Sequence, residues 1–140
     1  MENTSAYLKQ IIDAVADPIF VKDHRHAWIL VNQAFCDFMG QKESELLGKS
    51  DYDFFPKKEA DVFWEKDEEV LRTGAENMNE EFFTDGEGVR RIIITKKKLY
   101  VDPAGEKCIV GIIRDITEIK RTTEELKSAY EKLVALQGRL

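Results

Sequence analysis

The sequence predicts an α+β domain, and three observations carry that expectation. Two short apolar runs, residues 19–21 and 27–31, flank a polar turn and read as a hairpin. Three more strand-like runs, residues 79–84, 89–101 and 108–116, follow one another through the turn signals Asp85-Gly86 and Asp102-Pro103-Ala104-Gly105. Between the two groups lies a block of helical periodicity. After the last strand, Ile119, Thr122, Leu126, Ala129, Leu133, Leu136 and Leu140 recur at alternating spacings of three and four, which is a heptad seam.

Each element has its own local signal. Thr4 or Ser5 can cap a first helix with Tyr7, Leu8, Ile11, Ile12 and Val15 as its apolar stripe. Asp17-Pro18 ends it, because a residue before proline is pushed out of the helical region. Asn32 is placed to cap a short helix with Ala34, Phe35, Phe38 and Met39 on one face and Gly40 as the stop. Ser44 to Gly48 reads as one more helical turn, and Pro56 suits the first turn of a longer helix that runs to about Thr73. On that helix Ala60, Phe63, Trp64, Val70 and Leu71 are the apolar positions, and Asp67, Glu68 and Glu69 are expected to face water. Asp115 is expected to cap the exit helix, with Glu118 completing a capping box, while Thr122 and Glu125 offer a later start. The divisions that follow are a flanking helix over 1–16, a core over 17–117 and a linker helix over 118–140.

Bulk properties narrow the function. A chain of 140 residues is expected to form one domain, and a net charge of −6 argues against a nucleic-acid surface. The one basic run, Lys96-Lys97-Lys98, reads as a solvated strand edge. Cys36 and Cys108 stand in apolar contexts without a CxxC pair, which suits reduced core thiols in the cytoplasm. The N-terminal residues lack the basic-then-apolar layout of a signal peptide, and no apolar run approaches a membrane span. The heptad pattern is still running at Leu140, so the chain reads as a fragment of a longer protein.

No catalytic constellation is legible. The two histidines, His24 and His26, fall in a predicted turn and are expected at the surface. His24-x-His26 does not match the usual zinc spacings, and the acidic residues near Asp51 and Asp53 lack the layout of a calcium loop, so no metal is expected.

Four motifs in order resemble the PAS family of sensory domains in bacterial signalling proteins. They are DPIFVKD at 17–23, VNQAFCDFMG at 31–40, ELLGKSDYDFFP at 45–56 and GIIRDIT at 111–117. The resemblance implies a five-stranded antiparallel sheet in the order 2-1-5-4-3 with helices over one face. It also implies a sensory or relay role in a larger protein, a histidine kinase before other signalling enzymes. Asp115, Ile116 and Thr117 would be the point of signal transmission, and the helix beyond them the signalling linker. Relatives that form a flavin photoadduct carry a cysteine early in the long helix, and haem-binding relatives a histidine there. Residues 56–74 contain neither, which argues against both groups and leaves any cofactor open.

What remains is an apolar pocket between helices and sheet, with Phe35, Phe38, Met39, Phe54, Val62, Trp64, Ile93 and Ile112 as candidate liners, or the same residues as plain core. A ligand there would be small and mostly apolar, with a polar handle from a group such as Asn32 or Tyr52. The seam of Ile119, Leu126, Ala129, Leu133 and Leu136 reads as a parallel homodimer, with the first helix as a second dimer surface, or as a helix folded back on its own domain. Nucleic-acid and membrane contacts are not expected. A ligand-free dimerisation or spacer module and a small α+β enzyme are the rival readings, the latter requiring a titratable group in an apolar setting.

Overall fold

The structure, a computed structural model, describes residues 2–138. Five strands form one antiparallel sheet in the order β2-β1-β5-β4-β3: β1 Ile19–Asp23, β2 Trp28–Val31, β3 Asn77–Thr84, β4 Arg90–Val101 and β5 Lys107–Asp115. The expected α+β class and strand order are therefore present. The helices are α1 Glu2–Asp13, α2 Gln33–Met39, α3 Glu43–Leu46, α4 Lys57–Thr73 and α5 Thr117–Gln137, with a 3-10 turn at Asp51–Asp53. The first helix starts before Thr4 and Ser5, so neither is its cap.

Strand alternation sorts the side chains. Phe20 and Lys22 on β1, Phe83 and Glu81 on β3, Ile93, Thr95 and Lys97 on β4, and Ile109 and Ile113 on β5 face the helices. The largest apolar cluster joins Phe20, Trp28, Val31, Phe35, Met39, Leu46, Phe63, Phe83, Ile93 and Ile113. A smaller one joins Val70 and Leu71 of α4 to Ile109.

Two residues set the packing geometry. Gly111 lies opposite Phe20 in the β1–β5 ladder, and a Cβ built on it would stand 2.1 Å from Phe20 Cζ. Only glycine lets the ring lie across the strand there. Asn32, fully buried, caps α2 by accepting the Phe35 N–H at 2.9 Å. The same oxygen accepts the Ile19 N–H at 2.8 Å, and its amide donates to the carbonyls of Ile12, Val15 and Asp17. One side chain thus anchors the end of α1, the start of β1 and the start of α2.

Candidate functional site

Under the helices, the inner sheet face carries charge as well as hydrocarbon. Lys22 is 2% exposed, and its Nζ donates to Asp51 Oδ2 at 2.5 Å and Asp67 Oδ2 at 2.7 Å. Lys97 is equally buried, with Nζ 3.0 Å from Asp67 Oδ1, 3.8 Å from Glu81 Oε1, and a hydrogen bond to the Phe63 carbonyl at 3.4 Å. The Asp67 Oδ1 contact is an ion pair set off the hydrogen-bond line, since that oxygen has no hydrogen-bond partner. His26 completes the set, with Nδ1 3.1 Å from Asp67 Oδ2 and Nε2 2.5 Å from Glu68 Oε1. Asp67 is the hub of this buried network, touching Lys22, Lys97 and His26.

Buried charges persist only when paired. Burial pushes the Asp67 carboxyl up, but Lys22, His26 and Lys97 outweigh it and hold it well below the usual carboxylate range. Burial pushes Lys22 down, but Asp51 and Asp67 outweigh it and raise it. Asp51 and Glu81 go the other way, because burial, helped by the like charge of Asp67, exceeds the pull of Lys22 and Lys97, and both carboxyls are raised.

The network forms one end of a small cavity of about 30 Å³. Phe20, Trp28, Phe35, Phe38, Met39, Phe55, Phe63, Phe83, Ile93 and Ile113 form the apolar walls, and Lys22, Asp51, Glu81, Thr95 and Lys97 the polar end. Thr95 Oγ1, Glu81 Oε1 and Trp28 Nε1 are buried there without a hydrogen-bond partner. A volume of this size holds one or two waters, and these atoms are suited to bind them.

Of the expected liners, the cavity brings together Phe35, Phe38, Met39 and Ile93. Phe54 packs against the core cluster, its ring 5.7 Å from Trp28, without reaching the cavity. Trp64 lies on the flank of α4, stacked on His26 at 4.0 Å. Val62, 43% exposed, is a correction: the inner stripe of α4 is Ala60, Phe63, Asp67, Val70 and Leu71, and Val62 falls outside it. Ile112, 37% exposed, is another, because Gly111 and Ile113 face in and alternation turns Ile112 to the outer face. Asn32 spends its amide on backbone and Tyr52 bonds Asp61 at the surface, so neither supplies the polar handle.

Three charge assignments are also corrected. Lys97 is buried rather than part of a solvated edge, Asp67 is buried rather than facing water, and His26 is 2% exposed while His24 is exposed as expected. The titratable groups in an apolar setting that the sequence did not disclose are therefore present.

The exit from the sheet is also tightly specified. Ile116 N–H donates to the Ile92 carbonyl at 2.9 Å, and Thr117 Oγ1 accepts the Ile92 N–H at 3.0 Å. Asp115 Oδ1 accepts from Thr117 N at 2.9 Å and from Thr117 Oγ1 at 2.6 Å, while Arg91 Nη1 reaches Asp115 Oδ2 at 3.4 Å. The expected capping box with Glu118 does not form, since Asp115 ends β5 and Ile116 occupies the cap position. Beyond this latch α5 has no buried residue: Ile119, Leu126, Ala129, Leu133 and Leu136 are all exposed. Leu140, the last seam position, lies outside the described residues. Among the described residues no helix is long and apolar enough to cross a membrane, and no group of His, Cys, Asp and Glu side chains is arranged to hold a metal ion.

Comparison with known proteins places this geometry. Residues 6–116 match the family profile described as the PAS fold. The protein y4lL of Sinorhizobium fredii is 33% identical over 129 residues, covering 90% of this chain and 16% of that protein. The aerobic respiration control sensor protein ArcB of Escherichia coli is 27% identical over 129 residues, covering 91% and 17%. The chain thus spans about a sixth of the length of these curated relatives. Among solved structures, the PAS domain of an HTR-like protein from Haloarcula marismortui superposes with a TM-score of 0.67 at 26% identity, covering 82% of this chain and 93% of that one. The PAS domain of Bordetella pertussis BvgS gives 0.57 at 25%, covering 89% and 98%. With the sheet order, the helical cover and the family match over residues 6–116 all in agreement, the chain belongs to the PAS family.

Proposed function

We propose that this PAS domain is a cytoplasmic sensory or relay module of a larger signal-transduction protein, a sensor histidine kinase in the first instance. Residues 1–16 flank it, 17–117 form the sensory core, and 118–140 form the linker to an output domain. The observation that carries the reading is α5: an amphipathic helix of 21 residues with no buried side chain, fixed to the domain at its first turn by Thr117 and Ile116. A helix with an exposed heptad seam gains its stability from a partner, and a second copy supplies a matching seam. A change in the core then reaches β5, the Asp115–Thr117 latch and the register of the paired helices. The relationship to the sensor ArcB supports a kinase parent.

Sedimentation equilibrium of the chain and of Leu126→Asp tests the seam. A dimer that the substitution dissociates supports the reading. A wild-type monomer at micromolar concentration, or a dimer indifferent to the substitution, removes the seam from the mechanism.

One observation favours a second reading, a spacer module without a bound ligand: a cavity of about 30 Å³ leaves the core nearly full. Native mass spectrometry separates the two, since a ligand adds mass that denaturation removes. The raised carboxyls of Asp51 and Glu81 do not favour catalysis, because the same small volume gives a substrate no room beside them.

A further inference from the structure

His26 sits where the buried network meets solvent. It occupies the β1–β2 turn in the left-handed region, at φ 70°, and its ring lies flat on Trp64 with an interplanar angle of 5°. Its two ring nitrogens face different carboxylates on α4: Asp67, fully buried, at 3.1 Å, and Glu68, largely exposed, at 2.5 Å. A neutral imidazole carries one N–H and can donate to one of them, and the imidazolium can donate to both. The other charged groups near it are set by neighbouring elements. Lys22 of β1 shares Asp67 Oδ2 and is itself held by Asp51 of the 3-10 turn. Lys97 of β4 lies against the other Asp67 oxygen, with Glu81 of β3 beyond it. Tyr52 covers Trp64 edge-on, its ring centroid 4.7 Å away.

We propose that His26 is a proton-operated clamp: protonated, it pins the β1–β2 turn to α4 through Asp67 and Glu68, and on losing its proton it releases one of them and loosens the Trp64 stack. The direction of titration agrees. Burial and the nearby Lys22 charge lower the affinity of His26 for its proton, but Asp67 and Glu68 outweigh them and raise it above the ordinary value of 6.5. The stability this clamp adds is therefore complete below pH 6.5 and is lost as pH rises through the elevated value. This goes beyond the relay reading and holds whether or not α5 pairs.

The test is an NMR titration of the whole chain, following the imidazole signals of the two histidines and the indole N–H signals of the two tryptophans, with melting temperature measured across the same range. His24→Gln assigns the histidines. The expected result is a His26 midpoint above 6.5, a Trp64 signal and a melting temperature that change with that midpoint, and a lower midpoint in Glu68→Gln. His26→Asn, chosen because asparagine tolerates the left-handed backbone, is expected to flatten the melting profile over that range. A His26 midpoint at or below 6.5 overturns the proposal. So does a Trp64 signal that stays constant while His26 titrates, or a midpoint unmoved by Glu68→Gln. Glu68 is a surface side chain, so that variant decides the matter even where His26→Asn fails to fold.

Discussion

Replacing Asp67 by asparagine is the most informative single change to the buried network. The side chain keeps its shape, so the core neither loses volume nor gains strain. What it loses is the negative charge that faces Lys22 at 2.7 Å, Lys97 at 3.0 Å and His26 at 3.1 Å, all within side chains no more than 3% exposed. In addition, one face of the amide now presents N–H groups to a cation. Breaking a buried ion pair from one side costs about 3–5 kcal/mol, because the remaining charge stays in a low-dielectric setting without a counter-charge. Against a total of about 5–15 kcal/mol for a domain, that is a large share of the stability. It corresponds to a fall of roughly 10 °C or more in melting temperature. Urea unfolding followed by circular dichroism is the assay, with the midpoint expected to fall and the slope to stay constant. Lys57→Ala is the control, because the Lys57–Asp61 pair is exposed and screened by solvent, so its loss should leave the midpoint nearly unchanged. Adding Lys97→Met to Asp67→Asn should recover part of the loss by removing one stranded cation. A loss for Asp67→Asn no larger than that for Lys57→Ala would refute the reasoning, since the lysines would then be reaching water or another partner.

Three further outcomes follow from the same geometry. Gly111→Ala places a methyl 2.1 Å from Phe20 Cζ and should cost about 1–3 kcal/mol in urea unfolding, with Phe20→Leu restoring part of it. Asp115→Ala removes the carboxylate that accepts both Thr117 donors, and should weaken the start of α5 by about 0.5–2 kcal/mol, read as faster amide exchange at Lys120 and Arg121 with the sheet unaffected. In acid, the contribution of Asp67 is present above its unfolded value of 3.8 and fades only as pH falls toward its depressed folded value. Wild type should accordingly lose stability on acidification below about pH 4 more steeply than Asp67→Asn, measured as the difference in melting temperature between the two.

The fold was legible because its signals are local. Gly40 and Gly74 end α2 and α4, Asn32 caps α2 as its position suggests, and Asp85-Gly86 and Asp102–Gly105 close the two hairpins, whereas α1 stops at Asp13, so that Val15 lies outside it and Asp17-Pro18 is not its terminator. The cavity was half legible: Phe35, Phe38 and Met39 share a helix face and Ile93 a strand face, so periodicity finds them. Val62 and Ile112 were misplaced by one residue of phase, on a helix and a strand respectively. The charged residues were missed for a different reason. A lysine in a strand or an aspartate in a helix is read as a surface marker, and only the facing element shows that it has a partner. The overlooked signal was alternation itself: Phe20 with Lys22, and Ile93, Thr95 and Lys97, share parity with core residues.

That same parity explains how the network is placed with respect to the exit helix. It draws on β1, the 3-10 turn, α4, β3 and β4, and leaves β5 to hydrocarbon contacts. Among these elements β4 has a second attachment, because the Ile92 carbonyl accepts the Ile116 N–H and the Ile92 N–H donates to Thr117 Oγ1. Lys97 and Ile92 are five residues apart on that strand, about 17 Å at the usual rise. Between them lie Ile93 and Thr95, which line the cavity. Cavity wall, ion network and latch are thus consecutive stations on one strand. Under the proposed relay, β4, paired with β3 on one side and β5 on the other, offers a route beside β5 by which a change at the cavity would reach the Ile92 contacts of α5. Substituting Thr95 by valine, which keeps the shape and removes the unpartnered hydroxyl, should therefore alter amide exchange at Ile92 and Thr117 as well as at the cavity. An effect confined to the cavity would mean that β4 does not connect the two.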